Sequence, residues 1–156
     1  VAGRYAENTS VSVESSRGEI ERTLQRYNAE SFAYGWDQHR AIIEFAAQDR
    51  RIRFVLPLPD RNDKDFTHTP ARGTERTPAQ AYAAWEQACR QRWRALALAI
   101  KAKVEAVEAE ITTFEDEFMA HIVLPDGSTF GAWARPQIAQ VYEHNKMPAL
   151  MPGGDS

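Results

Sequence analysis

The sequence predicts an α+β fold: a three-stranded antiparallel β-meander packed by a long helix, with a short N-terminal helix and a C-terminal β-hairpin plus helix. Three observations carry this. Phe32, Tyr34 and Trp36 alternate with small residues, and two further alternating runs follow across short polar turns. From Ala79 to Glu110 no glycine or proline interrupts an apolar repeat of threes and fours.

Ser16-Arg17-Gly18-Glu19 has the capping-box pattern, and Ile20, Leu24 and Tyr27 follow at helical spacing up to Asn28, a residue suited to a left-handed exit. The meander comes next. Phe32, Tyr34 and Trp36 share one face of the first strand; Arg40 to Ala46 forms the second; Ile52, Phe54 and Leu56 alternate with Arg51, Arg53 and Val55 in the third. Pro57 and Pro59 end it, because proline cannot donate to the ladder. From Asp60 to Arg76 the chain has almost no apolar residue besides Phe66, and a connection so long is functional or mobile.

Thr77-Pro78-Ala79-Gln80 opens the long helix: a threonine cap, proline in the first turn, and glutamine three residues past the cap. Tyr82, Trp85, Cys89, Trp93, Leu96, Ile100, Val104 and Val107 form its apolar stripe. Thr113 caps a short helix through Phe118. Ile122-Val123-Leu124 and Ser128-Thr129-Phe130 around Pro125-Asp126-Gly127 read as a hairpin. A last helix is expected over about 132–143, burying Trp133, Ile138 and Val141. Residues 1–14 and 147–156 read as flexible tails around a single domain over 15–146.

A chain of 156 residues is long enough to bury a core, and its 43% hydrophobic and 26% charged residues are ordinary for a globular protein. The single cysteine, Cys89, excludes an intrachain disulfide and a cysteine-rich zinc site. No apolar run approaches the ~20 residues needed to span a bilayer, and residues 1–14 lack the apolar segment of a secretory signal, so the expected location is cytoplasmic, with no membrane partner.

The net charge of −3 conceals an asymmetry. Between Arg50 and Lys103 lie twelve Lys/Arg and five Asp/Glu; the remainder holds seven basic and seventeen acidic residues. A basic middle lets an acidic protein bind a polyanion, unless the regions neutralise each other within the fold. Single-stranded nucleic acid needs cations for phosphates and flat rings for bases. Arg51, Arg53, Arg61, Lys64, Arg72, Arg90, Arg94 and Lys101 are the candidate phosphate contacts, and Tyr34, Trp36 or Phe66 the candidate rings. The same residues also suit solvated faces and a core.

Other chemistry is thinly signalled. Glu117 and His121 are four apart, close enough on a helix to share a metal, but no His-Glu-x-x-His or Asp-x-Asp-x-Asp pattern accompanies them. The loop Asp60 to His68 mixes carboxylates, a lysine and a histidine without a visible scaffold. No phosphate-binding glycine loop, nucleophile elbow or dinucleotide fingerprint is present. Cys89 lies in the apolar stripe and reads as a core residue. Absence of catalysis and of a cofactor or metal is the first expectation, and a metal-dependent hydrolase centred on Glu117 and His121 stands as a third reading behind the two functions named below.

Phe54-Val55-Leu56-Pro57-Leu58-Pro59-Asp60, Thr67-His68-Thr69-Pro70-Ala71-Arg72-Gly73, Arg90 to Glu108, Leu124-Pro125-Asp126-Gly127 and Met147-Pro148-Ala149-Leu150 together resemble a family of small proteins of tailed bacteriophages and prophages. The resemblance runs from about Ser15 to Pro152 and implies a phage origin and action in the bacterial host cytoplasm, with no particular activity. A meander followed by a long basic helix is also similar, in topology alone, to the single-strand annealing proteins that many phages carry, which bind single-stranded DNA between sheet and helix and assemble into homo-oligomeric rings. Two functions are therefore expected: a DNA-metabolism accessory binding single-stranded nucleic acid through the basic middle, or a module that modulates a host protein.

Overall fold

The computed structural model describes residues 9–147, so most of the two expected tails, 1–8 and 148–156, lies outside the described residues. The first helix, α1 (Val13–Arg26), starts earlier than the Ser16 capping pattern suggests. Its cap is Ser12, whose Oγ accepts from Ser15 N at 3.1 Å. Starting there puts Val13, Ser16, Ile20 and Leu24 on one face at helical spacing, with Val13, Ile20 and Leu24 joining the core. Ser16 is fully buried and its Oγ has no hydrogen-bond partner among the described residues. Asn28 makes the expected left-handed exit at φ 68°.

Strands β1 (Ser31–Trp36), β2 (Arg40–Ala47) and β3 (Arg50–Pro57) form one antiparallel sheet in the order β1-β2-β3. Tyr34 lies opposite Ile43, and Ile43 opposite Phe54. The β2–β3 turn needs left-handed backbone at both central residues, Gln48 (φ 50°) and Asp49 (φ 60°), the geometry that matches the twist of a two-residue hairpin. In the β1–β2 turn Asp37 accepts from His39 N at 2.7 Å and Arg40 N at 2.9 Å. One sheet face buries Ala41, Ile43, Phe45, Ile52 and Phe54; the other carries Glu44, Arg51 and Arg53.

The 60–76 connection has more structure than its composition suggests. It contains a one-turn helix, α2 (Lys64–Thr67), and a bridge between His68 and Glu75. Arg76 donates to Phe66 O at 3.1 Å and holds the two ends together. The long helix α3 (Pro78–Glu108) opens with both halves of the Thr77–Gln80 capping box and runs 31 residues. Cys89, Trp93, Ala97, Ile100 and Val104 are its buried residues. Helix α1 packs along it, and Arg94 of α3 pairs with Glu19 of α1.

The C-terminal third corrects the expected fold. Helix α4 (Phe114–Phe118) has its Thr113 cap, and Phe114 and Phe118 enter the core beside Phe45 and Phe54. A 3-10 turn (Met119–His121) and a last helix, α5 (Phe130–His144), follow. The expected β-hairpin over 122–130 does not form, and the region is helical with a turn between. Thr129 caps α5, accepting from Ala132 N at 3.2 Å, so the returning arm is consumed by helix before a strand can pair. Only single bridges remain, Val123 to Thr129 and Ile122 to Ile52 of β3.

Helix α5 also differs in burial. Its N-terminus lies against the 3-10 turn so closely that a Cβ on Gly131 would sit 2.9 Å from Ala120 O. Beyond that point it leaves the core: Ala134 is buried, whereas Trp133 and Ile138 are 52% and 55% exposed. No helix of the described residues is long and apolar enough to cross a membrane.

The cap assignment is testable by thermal and urea unfolding. Ser12→Ala is expected to destabilise by about 1 kcal/mol. Ser16→Ala removes a buried hydroxyl with no partner and is expected to raise stability by up to about 1 kcal/mol. A loss from Ser16→Ala comparable to that from Ser12→Ala would restore the later helix start.

Candidate nucleic-acid interface

The eight candidate phosphate contacts do not form one patch. Arg51 and Arg53 stand on the uncovered sheet face, where both reach Glu44, at 3.1 Å and 2.6 Å. Arg53 also donates to Gly127 O at 2.7 Å. These bonds, Arg53 first, hold the Glu44 carboxyl below the usual range against the opposing effect of burial. Arg94 is taken up by Glu19. Lys64, Arg72 and Lys101 are exposed at separate places: the first turn of α2, the bend beyond it, and the outer side of α3.

Arg61 and Arg90, by contrast, are brought together. They line a groove of about 890 Å³ between the start of α1, the β1–β2 turn, the chain leaving β3 and the first half of α3. Its accessible rings are Trp36, Tyr82 and Trp85, the buried Trp93 borders it from the core, and Arg17 of α1 completes its cations. Each element contributes for a local reason. Trp36 is the last residue of β1, directly before the turn, and is 71% exposed. Trp85 Nε1 donates to Pro59 O at 2.8 Å, tying the chain after β3 to α3 and setting Arg61 over the rings. The Arg61 guanidinium carbon lies 4.9 Å from the Tyr82 ring centre and 5.2 Å from that of Trp85. Arg17 lies 4.5 Å from Tyr34 and 5.7 Å from Trp93.

Stacked guanidinium groups and flat rings in one groove accept a planar base and its phosphate. Neither Arg17 nor Arg61 has a carboxylate partner within ion-pair distance among the described residues, so their charge remains available. Arg90 is more engaged, donating from Nε to Gln87 at 3.1 Å and lying 3.9 Å from Glu86. Glu14, Asp37, Asp60 and Glu86 also line the groove. Asp37 is occupied by the turn it caps, whose N–H groups lower its carboxyl below the ordinary range. Three guanidiniums thus meet four carboxylates around the groove, so it is not a broad basic channel; its distinguishing feature is two guanidiniums laid on rings.

Cys89 is buried at the groove, and desolvation pushes its thiol up, away from the reactive thiolate. Glu117 and His121 do not converge on a metal position: Glu117 accepts from Lys103 Nζ at 3.3 Å, and the His121 ring stacks on Phe54 with centres 4.1 Å apart. No group of three or more metal-ligating side chains occurs among the described residues.

Arg17, Tyr82, Trp85 and Trp93 are absent from the sequence-based candidates for this site. Arg17 sits on a short helix outside the basic middle, and the three rings belong to a stripe whose spacing alone reads as core. Their signal was the stripe's density of large aromatics in its first half. No protein-family model, curated protein or solved structure matches the chain.

Burial, and after it the Lys103 charge, lowers the His121 imidazole below its ordinary value, with a hydrogen bond at the Arg53 backbone opposing. The unfolded chain therefore takes up this proton first, and stability falls as pH drops below about 6.5 towards the folded-state value. His121→Phe keeps a ring on Phe54 and should flatten that part of the profile, measured by urea unfolding at stepped pH. An unchanged slope would place the linked proton elsewhere.

Proposed function

We propose that this protein binds single-stranded nucleic acid without catalysis, taking one or a few bases in the aromatic–arginine groove. The observation that carries the reading is Arg17 and Arg61, each stacked on rings, without an ion-paired carboxylate among the described residues, and lining one groove with the exposed Trp36. Bases lend a flat face to Trp36 or Tyr82, and the two guanidiniums take the adjoining phosphates. A duplex hides its base faces, so single strands are preferred. The phage-type segments suit an accessory of phage DNA metabolism in a host cytoplasm.

The neutralised arginines limit how much of the affinity is electrostatic. With two or three phosphates engaged at about −0.7 each, the slope of log affinity against log salt is roughly −1.4 to −2. A phosphate-tracking channel using all eight candidates would be several times steeper.

Fluorescence anisotropy with labelled single- and double-stranded oligonucleotides across a salt series tests this. Single-strand binding with a shallow slope is expected, weakened about tenfold by Trp36→Ala. Arg61→Ala should weaken it and lower the slope, while Arg72→Ala and Lys101→Ala leave it nearly unchanged. Absence of binding at low salt, or loss with Arg72 and Lys101 instead, overturns the reading.

The alternative, a module acting on a host protein, draws on the large apolar residues that α5 leaves exposed around its surface, Trp133, Ile138 and Tyr142. It predicts a defined host partner whose binding is indifferent to Trp36→Ala.

A further inference from the structure

The two edges of the sheet are managed differently. On the β3 edge, Val123 N donates to Arg51 O at 2.8 Å and Ile122 bridges Ile52. The β1 edge has no such cover among the described residues. Nor does β1 carry any of the usual protections: Ser-Phe-Ala-Tyr-Gly-Trp contains no charge and no proline, and it is paired with β2 along its full length.

Its hydrogen-bonding direction follows from the turn. Asp37 N donates to Arg40 O, so Asp37 and Arg40 form a hydrogen-bonded pair. Backbone groups alternate sides along a strand, so Gly35, Ala33 and Ser31 also face β2, and Trp36, Tyr34 and Phe32 direct their N–H and C=O groups outward. The other side of β2 agrees: Leu58 N donates to His39 O, which puts the odd-numbered residues of β2 towards β3 and the even ones towards β1.

We propose that the β1 edge pairs antiparallel with β1 of a second copy about a two-fold axis through Tyr34. In that register Tyr34 faces Tyr34, and Phe32 faces Trp36 in both directions. Among the described residues none of these three gives its outward N–H or C=O to another partner, and every pair brings together side chains of the same sheet face. The register one step towards the N-terminus would need Glu30 opposite Trp36, but Glu30 N already donates to Ala46 O at 2.7 Å. A second copy fits better than a charged peptide because the strand offers no ionic complement. Aromatic faces aromatic across the axis, with no like charges opposed within the strand. The result is one six-stranded sheet with both helical layers on the same side.

So short a pairing makes a weak dimer, so the test is concentration-dependent mass of the full chain by light scattering and sedimentation, from micromolar to hundreds of micromolar. The parent is expected to move towards twice the chain mass. Tyr34→Pro removes an N–H that β2 does not use, and Tyr34→Lys opposes two like charges on the axis; both should stay monomeric with unchanged far-ultraviolet circular dichroism, while Tyr34→Phe still dimerises. A parent that stays monomeric throughout overturns the proposal. So does a dimer that survives both variants, or one lost instead by Tyr142→Asp on α5. The readout is independent of nucleic-acid binding and stands or falls apart from it.

Discussion

Much of this structure follows from one mismatch of length. Helix α3 has 31 residues, about 46 Å at 1.5 Å per residue, whereas the eight-residue strands it covers extend only about 26 Å. Its buried positions accordingly run from Cys89 to Val104, and none falls between Pro78 and Ala88. The overhanging first half must find other partners. The chain leaving β3 supplies one through the Trp85–Pro59 bond, and α2 packs against α3 as well. What they leave uncovered is the groove. Tyr82 and Trp85 belong to the same apolar stripe as Trp93 and Ile100, but the overhang turns their role from core to wall.

The same helix redistributes charge. Along α3 the basic side chains look like a continuous stripe, yet α1 and α4 bring carboxylates to meet them: Glu19 to Arg94, Glu117 to Lys103. Partly buried pairs of this kind keep neighbouring helices in register more than they stabilise them. Their consequence for binding is subtractive. Once Glu44 has taken Arg51 and Arg53, the strongest stacked cations are Arg17 and Arg61, which hold rings instead of carboxylates. Net charge along the sequence therefore overstated how many cations stand unpaired in the fold.

What was legible in the sequence was what local chemistry decides. The Thr77–Gln80 box, the β-alternation with its two turns and the Thr113 cap each depend on a few adjacent residues, and each formed. What was not legible depended on competition or on distance. Ser12 and Ser16 can both cap a helix, and the choice fell to which start puts Val13 on the core. Residues 122–130 suit a hairpin, but Thr129 can equally cap a helix, and α5 took it. Trp133 and Ile138 look like core positions until the close approach at Gly131 directs α5 away from the sheet. Of the site, Trp36, Arg61 and Arg90 could be named from sequence. Arg17 could not, because only the docking of α1 on α3 brings it there.

Trp36 belongs both to the groove and to the free edge of β1, and this links the two proposals physically without making either depend on the other. In a Tyr34-centred pair the two Trp36 residues stand four residues apart along neighbouring strands, about 14 Å by strand rise. Both grooves would open on the helix-covered side, because the two-fold axis is perpendicular to the sheet. One single strand of nucleic acid could then engage both platforms, and the second contact would be intramolecular. A site with only two free guanidiniums gains more from such pairing than a broad basic channel would, because its single-site affinity is modest. The uncharged edge strand and the economical groove are thus mutually consistent: weak self-association would raise apparent affinity where protein is concentrated along a strand, and would leave little binding to isolated short sites.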